Sequence, residues 1–470
     1  MSSPILRNII YIGEHTIKDM LIQKKLTENR WNAKNGDQVR VLFCGTYPIN
    51  ANGYSKVVYY MAKNMAKYDD IKLTIYGFQN FGQTMGQSLR SDIPENVILH
   101  DALATENPRR NGFGEKEIAD YVKKNPQDII IVFNDSIVTT AITATLINEL
   151  RDFRDKFKLV AYVDQVYRYQ KPEYISLLNT YYDSLIAFSP YWRDNLYKIG
   201  IKKEMPIYYY PHGFDHNLYF PIPQEYARIY YDIPKETFCV INLNRNQPRK
   251  ALDLMMVVWT QIVKRHYLSH GNAKTTKELK GWSSNINTKR PIKLMIATAM
   301  DGYWNLMSVL EHECKLEDVP FEYAKETIWN VENPQLLSDR DVNLLYNVAD
   351  VSINFALGGG WELCTSEALG IGKSSIAPYV GGMIDYLNDE NTILVKPVLR
   401  KYHDNKSKGI GGIDELVDTA QYVNAIWTYL SNPSLCRKHG LNGRKQMLQN
   451  YRWDSMTEIF YKSIKDILSM

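Results

Sequence analysis

The chain has 470 residues, 45% hydrophobic and 23% charged, with a formal net charge of +4. That balance excludes a disordered chain and gives no electrostatic case for a nucleic-acid partner, and the length suits two or three domains of about 100–200 residues. Five scattered cysteines without CxxC or CxxH spacing point away from a disulfide framework or structural zinc, and no stretch approaches the roughly 18 apolar residues of a membrane span.

Residues 1–37 carry Ile9, Ile10, Ile12, Ile17, Met20 and Leu21 at roughly helical spacing and then turn polar. They read as an N-terminal extension packed on the surface, with a membrane-surface amphipathic helix as the alternative. The start lacks a long apolar core and a small-residue cleavage site, so no signal peptide is expected. A first α/β unit is expected over residues 38–210. Val39–Cys44 is a strand, followed by a loop containing Gly53 and Tyr54 and then a helical period. That order opens a doubly wound unit, but the loop lacks the GxGxxG dinucleotide fingerprint. Ile71–Tyr76, Asp128–Phe133, Phe157–Val163 and Leu185–Phe188 continue the strands. Each ends in polar residues, and ligands of open parallel sheets bind at those carboxyl ends. Asn134 and Ser189 are expected as helix caps, Asp135 as a cap or site residue, and Asp164 as a site residue.

Ile207–Tyr210 runs into His212-Gly213-Phe214-Asp215 and a proline-containing linker. A second α/β unit is expected over 211–450. Phe238–Leu243 is its first strand, and the basic loop after it leads into a helix from Ala251. Arg245 and Lys250, with four residues between them, sit at that helix head, where a cation is unfavourable unless an anion is present. Residues 269–290 read as a polar surface insertion, Ile292–Ala297 as a strand, and Ser338–Asn347 as a helix capped by Ser338. Ser375–Ala377 and Thr392–Val395 are expected to continue the sheet, Lys406–Ile413 to be a flexible loop, and Leu416–Tyr429 and Tyr451–Leu468 to be helices.

Between these elements lies the most informative stretch. The apolar strand Val351–Phe355 feeds Gly358, Gly359 and Gly360, and a helical pattern begins at Trp361 with Glu367 almost two turns in. Glycines admit close backbone approach, and a helix head offers unpaired N–H groups to an anion. Gly372-Lys373-Ser374 mimics the end of a P-loop, but the first P-loop glycine would fall on Glu367 and the tripeptide precedes a strand, so it is discarded. Arg245, Lys250, the glycine loop and Glu367 together suit a ligand with a diphosphate and a ribose diol. Such a ligand is a sugar nucleotide.

At these residues the chain resembles a GT-B glycosyltransferase of the large retaining family with the E-x7-E signature, family four. The resemblance rests on Arg245 and Lys250, on His212–Asp215, on residues 338–354 and on GGWELCTSEALGIGKSSIAPYVGG at 359–382. Phe133–Asp135, residues 162–166, 244–254 and 409–413 look most like segments of glycosyltransferases from large DNA viruses of algae and amoebae. The resemblance implies α/β architecture with two Rossmann-like domains facing a central cleft and residues 451–470 as a helix returning to the first domain. It implies metal-independent, retaining transfer of a hexose, with no cofactor, from a nucleoside diphosphate sugar, GDP-linked by the viral likeness. Arg245 and Lys250 would hold the diphosphate, Glu367 the ribose, and backbone groups near Val331 the base. Gly53 and Tyr54 would border the phosphates, Asp164 would face the donor sugar, and Gly358, Gly359, Gly360, Trp361, Glu362, Leu363 and Cys364 would line the donor.

Eight positions before Glu367, where that family carries its first glutamate, this chain has Gly359. Glu362 stands three residues on, and on a continuous helix it would lie roughly 140° from Glu367. It reaches the sugar only if the loop is rebuilt. A nucleotide-binding pseudo-enzyme and a GT-B-fold sugar-nucleotide epimerase, using Asp135, Asp164 or His212, are the alternatives. The acceptor is left open among glycan, lipid and protein, as is peripheral membrane contact. A cytoplasmic location is expected, in a host cell or virion if the protein is viral.

Overall fold

The computed structural model describes residues 4–32, 36, 38–50, 52–81, 90, 92–272, 286–331, 334, 337–403 and 411–470. The expected insertion at 269–290 and the loop at 406–413 lie largely outside the described residues. The first sheet comprises β1 (Val39–Thr46), β2 (Ile71–Phe78), β3 (Ile98–Asp101), β4 (Ile129–Asn134), β5 (Lys158–Val163), β6 (Ser184–Ala187) and β7 (Ile207–Tyr209). All neighbours are parallel, in the order β3-β2-β1-β4-β5-β6-β7. Apolar runs such as Ile129–Phe133 suit strands covered on both faces, and all five of these residues are buried. The second sheet comprises β8 (Phe238–Asn242), β9 (Ile292–Ile296), β10 (Ile328–Asn330), β11 (Val351–Ile353) and β12 (Ser374–Ile376), parallel in the order β10-β9-β8-β11-β12. Both orders reverse beside the first strand of their unit, which places a ligand crevice at β1/β4 and at β8/β11.

The helix Trp453–Ser469 returns to the first sheet. Trp453 stacks on Tyr60 at 5.0 Å, Tyr461 stacks on Tyr68 at 3.8 Å, and Phe460 packs edge-on against Phe43. The crossing segments lie side by side, for the Phe214 N–H donates to the Tyr451 carbonyl at 2.6 Å. At the other end, the helix Pro4–Asn32 packs on the first unit through Trp31, which stacks on Phe153 at 5.3 Å.

Several elements differ from the sequence expectation. Thr392–Val395 adds no strand, and only an isolated bridge joins Val395 to Pro378. Its β-branched residues are instead held by side chains, with the Ile393 N–H donating to the Tyr429 hydroxyl at 3.0 Å. An antiparallel pair, β13 (Pro397–His403) and β14 (Gly412–Val417), was not foreseen. It takes up Leu416 and Val417, so the helix expected from Leu416 starts at Thr419 behind the Asp418 cap. The helix expected from Trp361 begins at Leu363, because Glu362 adopts φ 63° and ψ 75°.

Candidate functional site

The carboxyl ends of the two sheets face each other and carry the predicted residues. From the first unit come Asp164, just beyond β5, and the helix Gly53–Met65, opened by an Asn52/Ser55 capping box. The Tyr54 hydroxyl donates to the Asp164 carboxylate. Burial drives the Asp164 pKa up to about 6, partly opposed by the Tyr54 hydrogen bond and Arg249. Asn134 accepts from the Asp135 N–H, and it is Asp135 that caps the helix Ser136–Glu149, so the cap expected at Asn134 sits one residue later. Ser189 caps Pro190–Lys198 as expected. His212 is buried among Phe133, Tyr162, Phe188 and Trp361, and both its ring nitrogens lack a hydrogen-bond partner. Burial holds its pKa down at about 3, unsuited to proton transfer near neutrality.

From the second unit comes a charge cluster built around Glu362. In the left-handed conformation its side chain turns back toward the loop after β8. Glu362 Oε1 accepts from Arg249 Nη1 at 2.8 Å, while Oε2 accepts from Lys250 Nζ and from Asn354 Nδ2 at 3.0 Å. Burial works against the Glu362 carboxylate, but Lys250 and Arg249 outweigh it and hold its pKa at about 2. Lys250 is pushed below the usual ammonium range by burial and by Arg249 beside it. These directions conflict, since a simple ion pair would raise Lys250. The explanation is that a buried lysine and a partly buried arginine share one directly bonded carboxylate. Arg249 was missed by the Arg-x4-Lys reading, although Pro248-Arg249-Lys250 carried the signal. Arg245 is exposed nearby, outside the bonds that Glu362 makes.

The glycines are packed by protein. A Cβ on Gly358 would meet the Val166 carbonyl at 2.4 Å, and one on Gly360 would meet Phe188 at 2.6 Å and Asp164 at 3.2 Å. Gly381 and Gly382 close on the same loop, with Cβ positions 2.2 and 1.9 Å from the Gly359 and Gly360 carbonyls. The close backbone approach expected of the triple glycine is thus made, by Gly358 and Gly360, to the first unit. Gly359 is the telling member. A Cβ there would stand 2.6 Å from Glu362 Cγ and 2.8 Å from Glu362 Oε1. The Glu362 carboxylate thus occupies the space that a side chain at 359 would enter, and the rebuilt loop avoids the 140° separation calculated for a continuous helix.

Glu367 lies in the second turn of Leu363–Ile371 and is paired across the cleft. Lys56 Nζ donates to Glu367 Oε1 at 2.7 Å and to the Tyr219 hydroxyl at 2.7 Å, and lies 3.5 Å from Asp339. Arg90 approaches Asp339 at 3.5 Å, and Tyr219 donates to it at 3.0 Å. Burial opposes the Lys56 charge, but Glu367 and Asp339 outweigh it and raise its pKa, while burial raises that of Glu367. Lys56 carried no sequence signal for this role, because Glu367 is 311 positions away. Gly53 faces Leu363, whose Cδ1 would be 3.6 Å from a Cβ there. Trp361 is buried against Tyr386 and Tyr451, and the Tyr346 hydroxyl donates to the Cys364 carbonyl. Val331 follows β10 at the same edge, its N–H bonded to the Ile296 carbonyl. Among the described residues no cluster of three His, Cys, Asp or Glu could hold a metal ion, and no helix is long and apolar enough to cross a membrane.

Two Rossmann-like units with opposed carboxyl edges and a returning terminal helix define the GT-B fold. Solved structures share it along more than nine-tenths of the chain. Sucrose-phosphate synthase from Thermosynechococcus elongatus matches with a TM-score of 0.65 at 15% identity, covering 92% of this chain and 100% of that one. HepE from Anabaena, solved in complex with UDP-glucose, gives 0.62 at 13% identity, covering 91% and 100%. A glycosyltransferase from Rickettsia africae gives 0.61 at 15% identity, covering 92% and 99%. No family profile matches the sequence and no curated protein is similar to it.

Proposed function

We propose that this chain is a glycosyltransferase that moves a hexose from a nucleoside diphosphate sugar to an acceptor with retention of configuration and without a metal ion. The observation that carries the reading is the pairing of Arg249 and Lys250 on the single carboxylate of Glu362, at the head of the helix that also holds Glu367. A diphosphate supplies the negative charge that these two cations lack, and the same cations stabilise it as it leaves. Glu367 receives the ribose diol once Lys56 gives way, and Val331 borders the base. Asp164, fixed by Tyr54, faces the sugar end of the glycine loop. Glu362 takes the part at the donor that the resemblance assigns to position 359.

In the transfer, the bond from the anomeric carbon to the diphosphate oxygen breaks. A bond to an acceptor hydroxyl forms on the same face, and the hydroxyl proton leaves with the diphosphate. Closure of the cleft excludes water from this step. Guanine is proposed as the base from the likeness to viral sequences, with uracil, the base in the HepE complexes, as its competitor. The work site is proposed to be the cytoplasm, that of the host cell if the protein is viral.

A panel of GDP- and UDP-sugars, titrated by calorimetry and followed by NMR of the product anomer, tests this. Saturable donor binding with a retained anomer is expected, weakened at least tenfold by Arg249→Ala and by Glu367→Ala. Absence of binding to every donor overturns the reading. One observation favours a second one. Lys56 already satisfies Glu367 and Glu362 already satisfies Lys250, so a nucleotide-binding partner subunit without turnover would need no further change. Binding without transfer or hydrolysis selects it.

A further inference from the structure

A groove of about 750 Å³ runs beside the site, along the helix Pro172–Tyr181 and under the β13–β14 pair. Its size falls in the range of about 300–1,000 Å³ typical of ligand sites. It is tied to the site residue Asp164, for Gln170 lines the groove and donates through Nε2 to the Asp164 carbonyl at 3.1 Å. Three features of its wall are unexplained by the fold. Tyr169 holds φ 57°, an uncommon conformation for a bulky residue, and is 49% exposed. Tyr402, 52% exposed, adds a second tyrosine to the lining from β13. Gln170 is 4% exposed, and its Oε1 has no hydrogen-bond partner. A buried amide oxygen without a donor costs free energy that a ligand hydroxyl would recover.

We propose that this groove binds a carbohydrate, the non-reacting portion of the acceptor. The inference rests on the transferase reading given above and names the substrate class of its acceptor side. Tyrosine faces suit the apolar C–H faces of sugar rings, Gln170 Oε1 accepts a sugar hydroxyl, and Asn179 and Ser176 supply further polar groups. Among the described residues the lining carries one charged side chain, Lys202, and no carboxylate, which suits a neutral or weakly anionic glycan better than a basic peptide. Remote binding of this kind positions the reacting hydroxyl.

Saturation-transfer NMR with the full chain and a panel of linear gluco-, manno- and xylo-oligosaccharides of three to six units is the test. At least one oligosaccharide is expected to bind the unaltered protein. Tyr169→Gly and Tyr402→Ala are each expected to weaken it at least fivefold while leaving calorimetric binding of GDP or UDP unchanged. Tyr169→Gly also relieves the left-handed backbone, so its melting temperature is expected to hold or rise, which separates lost binding from lost folding. No binding by any member of the panel, or binding unaltered in both variants, overturns the inference. Because the readout is glycan binding, nucleotide affinity measured alongside shows independently whether the donor reading stands.

Discussion

Replacing Glu362 by Gln keeps the shape of the side chain and removes its charge. A folded-state pKa of about 2 against an ordinary 4.5 corresponds to about 3 kcal/mol of preference for the carboxylate. The result agrees with the roughly 3–5 kcal/mol lost when one member of a buried ion pair is removed. Glu362→Gln leaves Lys250, 9% exposed, and Arg249 without their counter-charge. At about 2–4 °C per kcal/mol for a domain of roughly 200 residues, the unliganded variant should melt at least about 6 °C lower in differential scanning fluorimetry. A nucleoside diphosphate carries the missing charge, so saturating GDP or UDP should restore more of the melting temperature in the variant than it adds to the unaltered protein. In the unaltered protein the Glu362 contribution is present above about pH 4.5 and is lost as pH falls toward 2. A variant that melts within 1 °C of the original, with no extra gain from nucleotide, would refute the charge argument.

Gly359→Glu should destabilise the loop, since its Cβ would stand 2.6 Å from Glu362 Cγ; adding Glu362→Gly should recover donor affinity measured by calorimetry, and a double variant no better than the single one would count against the shared space. Lys56→Ala leaves Glu367 and Asp339 without the lysine that bridges the two units, and an increased radius of gyration in small-angle scattering is expected; unchanged dimensions would show that this contact does not hold the cleft shut. Asp164 binds a proton more readily folded than unfolded, at about 6 against 3.8, so its charge costs stability as pH rises through that window. Asp164→Asn should therefore stabilise the fold by up to about 3 kcal/mol at pH 8, with no difference below pH 4, by urea denaturation; equal stability across that range would contradict the burial effect.

The two parallel sheets were legible because their strands are short apolar runs ending in polar residues, a pattern that depends on local chemistry. The placement of Lys250 and Glu367, at or near helix heads, was legible for the same reason. Arg249 was obscured by a spacing rule that selected Arg245. The pairing of Lys56 with Glu367 was illegible, because it joins two units whose closure no local pattern encodes. Glu362 shows a different obstacle. A glutamate rarely adopts a left-handed backbone, so helical spacing placed its carboxylate on the wrong side, whereas the cluster of Lys250, Arg249 and Asn354 draws it inward. Tyr169, with its own left-handed backbone, escaped notice for that reason too.

The neighbouring crossings at Phe214 and Tyr451 have a consequence for how the chain is made. Gly213 lies so close to the returning segment that a Cβ there would be 2.5 Å from Trp453 Cα. In topological terms the second unit is an insertion within the first, entering and leaving through one doorway. During synthesis the first unit emerges first but waits for residues 453–469 to cover Phe43, Tyr60 and Tyr68, so the unit begun earliest is completed last. Damage that detaches residues 453–469 is therefore felt as an uncovered aromatic surface on the first unit.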